Sequence, residues 1–111
     1  MEMDLAKVRA EHARLQQRLA QIGSISHGYV QNRGPGAGGP CYQWTRKEKG
    51  KTISVALSQE QYEALRTAIA NWREVQKILT RMQQLSRQII FATLPNPPRR
   101  KRLSRKVLGL N

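Results

Sequence analysis

The chain has 111 residues, with 20 Lys and Arg against 7 Asp and Glu, for a formal net charge of +13. That length has room for one small domain with tails, and a charge this lopsided exceeds what solubility requires, which points to a polyanionic partner. The start shows no charged-then-apolar leader and no run of about 18 apolar residues occurs, so neither secretion nor a membrane span is expected and a cytoplasmic location is.

The first predicted element is a helix from Met1 to Ile22. Leu5, Val8, Leu15, Leu19 and Ile22, with His12 filling the gap, repeat in the 3-4-3-4-3 spacing of a coiled-coil seam. Glu2 and Asp4 suit its positive end and Gly23 is a natural stop. Three heptads are marginal alone, so this helix must pack on something.

The period then changes. Residues 24–31 alternate small or polar with larger side chains and read as a strand. Gly34 to Pro40 forms a flexible loop. Residues 41–46 and 51–57 flank a short turn, Lys47-Glu48-Lys49-Gly50. Tyr42 and Trp44 alternate with polar residues, as do Ile53, Val55 and Leu57, the pattern of a hairpin with one buried face.

Ser58-Gln59-Glu60-Gln61 is a capping-box pattern that opens a long helix from about Gln59 to Phe91. Its apolar face turns partway. Tyr62, Leu65, Ile69 and Trp72 make one stripe, to cover the sheet; Val75, Ile78, Met82, Leu85 and Ile89 make another, to meet a second helix. Arg66, Arg73, Lys77 and Arg81 lie opposite and read as a solvated outer face. Pro95 ends the helix, and Pro95-Asn96-Pro97-Pro98 opens a stiff leash carrying Arg99, Arg100, Lys101, Arg102, Arg105 and Lys106. These six bases are not diluted by any acid after Pro95, and their mutual repulsion predicts a disordered tail.

A search for catalytic chemistry is nearly empty. Two histidines, one cysteine, no paired carboxylates on a strand, no P-loop and no GxSxG argue against an enzyme. His12 on the seam reads as a polar residue that sets register, and His27 as a surface contact. Cys41 stands alone, so no intrachain disulfide is expected, and Cys41 with His27 is two ligands short of a structural zinc site. No cofactor or metal is expected.

The binding chemistry is richer. The tail bases would grip phosphates irrespective of sequence. Arg46, Lys47, Lys49 and Lys51 crowd the hairpin tip, where a basic ribbon can follow a phosphate backbone. Arg33, at the edge of the glycine loop, would add a contact. Trp44 and Tyr42 belong to the buried face.

The helix, Gly23-Ser24, Tyr29-Val30, the aromatic strand from Tyr42 to Trp44, Gly50-Lys51-Thr52 and a long helix with Tyr62, Trp72 and Leu85 together resemble a family of short prokaryotic proteins, a domain of unknown function often encoded beside transposases. The resemblance covers roughly residues 5–91 and leaves out the basic tail. It implies a mobile-element setting. Many members carry several cysteines before the aromatic strand, suggesting a metal knuckle; here only Cys41 stands there, so no metal role carries over.

The expectation is therefore an α+β domain over residues 1–94, with an N-terminal helix, a small three-stranded antiparallel sheet or hairpin and a long C-terminal helix, followed by a Pro-led basic tail over 95–111. The expected function is a non-enzymatic nucleic-acid-binding accessory protein. One alternative is an adaptor whose helical seam (Leu5, Val8, Leu15, Leu19, Ile78, Met82, Leu85, Ile89) forms a homodimer or docks on a larger enzyme such as a recombinase or nuclease. Another is a ribosomal-type structural RNA binder.

Overall fold

In the computed structural model, which describes residues 4–36 and 38–110, the chain is α+β: a helix, a three-stranded antiparallel sheet, a long helix and one final helical turn. Helix α1 is Leu5–Gln21. Asp4 caps it, its Oδ1 accepting the N–H groups of Ala6 (3.1 Å) and Lys7 (3.3 Å). The predicted role of Glu2 lies outside the described residues.

Strands β1 (Tyr29–Asn32), β2 (Tyr42–Glu48) and β3 (Lys51–Leu57) lie in the order β1-β2-β3, antiparallel throughout. The tip differs from expectation. Strand β2 continues through Lys47 and Glu48, and the turn shrinks to Lys49 and Gly50, both at positive φ (48° and 78°). Two such residues suit the right-handed twist of the strands they join. Strand β1 is shorter than predicted, because the chain before it bonds to a helix instead of a ladder. The Ser26 N–H donates to the Ala68 carbonyl (3.2 Å) and the Asn71 side-chain amide to the Ser24 carbonyl (2.9 Å).

Helix α2 runs Gln59–Thr93. Its capping box is reciprocal: the Gln61 N–H donates to Ser58 Oγ (3.1 Å) and the Ser58 N–H to Gln61 Oε1 (3.0 Å). The apolar stripes are covered as the periodicity requires, with Ala68, Ile69, Ile78 and Leu85 buried. Helix α3, Arg105–Leu108, is a single turn capped by Ser104.

The chain forms two compact units. One is Ile22–Val75: the sheet lies against the front of α2, where the Tyr42 and Tyr62 rings meet at 4.9 Å between centroids. The other takes α1 and the chain from Gln76 onward. There Glu11 accepts two hydrogen bonds from the Arg81 guanidinium (2.7 and 3.0 Å), and His12 Nε2 lies 3.4 Å from the Ser86 hydroxyl. Arg81, expected on a solvated face, instead ties α1 to α2. Leu5, Val8, His12, Leu15 and Leu19, the predicted seam, are all half-buried.

Candidate nucleic-acid interface

Register decides where the hairpin's charge goes. Tyr42, Trp44, Arg46 and Glu48 alternate onto one face of β2, and the Tyr42–Tyr62 contact identifies it as the face toward α2. Directly across on β3 stand Leu57, Val55, Ile53 and Lys51. The opposite face carries Tyr29, Gln31, Gln43, Thr45, Lys47, Thr52, Ser54 and Ala56, with a hydroxyl pair between Thr45 and Ser54 (3.3 Å).

The four predicted tip bases are therefore split. Arg46 and Lys51 are on the helix side, Lys47 is on the other, and Lys49 is in the turn. Lys47, Lys49 and Lys51 are exposed. Arg46 is engaged: its guanidinium lies 4.4 Å from the centroid of the Trp44 ring and its Nε donates to Glu48 Oε1 (2.9 Å). Trp44 is half-buried, and its indole N–H donates to the His27 carbonyl (3.1 Å). That indole presses on Gly28, at φ 115°, where a Cβ would stand 2.4 Å from the indole nitrogen. Only glycine fits there.

The loop between β1 and β2 is closed by the Arg33 N–H donating to the Cys41 carbonyl (2.7 Å), while Asn32 Oδ1 accepts the Gly34 N–H (3.0 Å). Arg33 is exposed, and its guanidinium lies close over Gly39. Cys41 is an exposed free thiol. No group of three or more His, Cys, Asp or Glu side chains is placed to hold a metal among the described residues.

The six tail bases are all exposed. Residues 94–104 form no helix or strand, as a tail without a packed core should, but two contacts hold the segment. Arg100 lies over the Phe91 ring at 5.7 Å and bonds to the Asn96 side chain. Farther on, α3 ends in a left-handed Gly109, the Gly109 N–H donating to the Lys106 carbonyl (3.2 Å) and the Leu110 N–H to the Arg105 carbonyl (3.0 Å). Arg87 on α2 donates to the Gly109 carbonyl (3.0 Å), and Leu110 is buried. Sequence reasoning missed this anchor. Its one available signal was the apolar spacing of Leu103, Val107, Leu108 and Leu110 among the charges.

Of the predicted partner-binding seam, Ile78 and Leu85 are buried within the chain, Leu85 completely. Leu5, Val8, Leu15, Leu19, Met82 and Ile89 keep part of their surface. On α2, Arg66, Arg73 and Lys77 fall within about 40° of one another at 100° per residue, and all three are exposed. Among the described residues no helix is long and apolar enough to cross a membrane. No family model, curated protein or solved structure matches the chain, so its chemistry is read from these residues alone.

Proposed function

We propose that this is a non-enzymatic nucleic-acid-binding accessory protein acting in the cytoplasm, whose tail and hairpin lysines hold phosphates. One observation carries the reading: six bases within residues 99–106, all exposed, with no acid from Pro95 onward. A phosphate backbone offsets the mutual repulsion of such a run. A mobile-element setting is the further expectation, and it rests on the motif resemblance alone.

The test is an electrophoretic shift with duplex DNA, single-stranded DNA and structured RNA at two salt concentrations. Engagement of all six tail bases by duplex gives a log–log salt slope of about −5 from the tail alone. Absence of any shift at low salt removes the reading.

A second reading has its own support in exposed Ile90, Phe91 and Leu94 at the end of α2 and in the half-covered α1 seam. Here the protein is an adaptor for a larger nucleic-acid enzyme. It predicts a stoichiometric partner on pull-down that is retained when the six tail bases are changed to Gln and lost on Leu15→Asp.

A further inference from the structure

Beside β1 lies a groove of about 250 Å³, walled by Gly28, Tyr29 and Val30 on the strand side and by Arg66, Ala70 and Arg73 on α2. All of it belongs to the Ile22–Val75 unit. We infer that this groove binds single-stranded nucleic acid, with phosphates on Arg66 and Arg73 and the strand crossing the β1 edge so that a base stacks on Tyr29 on the other sheet face. The inference rests on the nucleic-acid reading above and names a site that the tail and hairpin do not include.

Three features favour this occupant. The first is a pair of exposed guanidinium groups. Arg66 and Arg73 are seven residues apart, hence on one side of α2 and about 10.5 Å apart along its axis, a separation suited to two distinct phosphates. Neither makes an ion pair among the described residues. Glu63 lies one turn before Arg66, but its carboxylate accepts from the Gln59 amide (3.5 Å). Ala70, between the two arginines, keeps the helix wall low.

The second feature is a ring across the β1 edge from the groove. Tyr29 is 62% exposed and has no aromatic partner among the described residues. Its pairing with Thr45 places it on the sheet face away from α2, where its neighbours are Gln31, Thr45 and Lys47. No acid shares that face. An exposed ring bordered by amides, hydroxyls and a lysine offers a stacking surface for a base of any identity.

The third is the strand itself. Among the described residues β1 pairs with β2 alone, so alternate main-chain N–H and C=O groups face outward. Stacking on Tyr29 requires an unpaired base, which selects single strands over duplex.

The test uses the full chain with fluorescein-labelled dT12 and a 12-base-pair duplex, by anisotropy at 50 and 200 mM salt. Arg66→Ala/Arg73→Ala should weaken dT12 binding by about tenfold and reduce its log–log salt slope by about 1.4, the share of two phosphates on a single strand. Tyr29→Ala should weaken dT12 by at least about fivefold, while Tyr29→Phe keeps the stacking face and stays within about twofold. Duplex affinity should hold within about twofold in every variant. The inference is overturned if Tyr29→Ala leaves dT12 binding intact, if duplex binding falls in parallel, or if polyglutamate of equal charge displaces dT12 as well as unlabelled dT12 does. Wild-type binding to duplex but not to dT12 removes this site and leaves the broader reading standing; binding to neither removes both.

Discussion

The hairpin tip and the tail carry charge at similar density along the chain and hold it in opposite ways. At the tip, strand register deals Arg46 and Lys51 to one face and Lys47 to the other, and Arg46 is occupied by Trp44 and Glu48. In the tail no ladder imposes alternation, and all six bases stay exposed, Arg100 included despite its contacts with Phe91 and Asn96. The lesson is that a count of basic residues measures charge present, whereas pairing and register determine charge presented. Arg81 makes the same point: its guanidinium, although its side chain keeps 43% of its exposure, is engaged by Glu11.

The largest test of the contrast is to change all six tail bases to Gln. The log–log salt slope for duplex DNA should fall by about five, with affinity at 200 mM salt dropping by more than about a hundredfold. Changing Lys47, Lys49 and Lys51 to Gln should remove at most about 2.7 from the slope, and less if the split between faces keeps one lysine off the backbone. A loss equal to the tail's would break the comparison.

Two smaller changes sharpen it. Glu48→Gln frees Arg46 from its ion pair and should raise the slope's magnitude by less than about one, measured by the same titration. Glu11→Gln should leave the slope unchanged and cost under about 1 kcal/mol of stability in a denaturant titration at pH 7, because the pair is partly exposed and screened. The Glu11 carboxyl is held below its ordinary value by the hydrogen bonds from Arg81, with the charges of Arg81 and Arg14 adding to the effect against partial desolvation. A lowered carboxyl pKa contributes stability that is fully present above about pH 4.5 and is lost as pH falls through the folded value. Wild type and Glu11→Gln should therefore converge in stability as the pH drops below 4.5.

Local rules made much of this architecture legible. The Ser58–Gln61 box, the alternation along β2 and β3 and the 3-4 spacing of α1 each specify an element within a few residues, and each element formed. What stayed hidden depends on distant partners. Arg81 looked solvated because Glu11 is 70 positions away. Residues 24–28 looked like strand because nothing nearby announces that Ala68 and Asn71 would take their hydrogen bonds. The groove beside β1 was equally invisible, since Gly28–Val30 and Arg66–Arg73 become neighbours only after α2 folds over the sheet.

The seating of Leu110 and the bond from Arg87 to the Gly109 carbonyl change what kind of object the basic tail is. A segment fixed at one end explores a wide volume and surrenders that freedom on capture. Fixed at both ends, residues 95–104 become a closed loop. Its search radius is short, its charges are concentrated at one place, and less conformational entropy is left to lose when a phosphate backbone arrives. The consequence is kinetic as much as energetic: such a loop captures targets that come to it, and cutting the anchor would lengthen its reach while making each contact dearer in entropy.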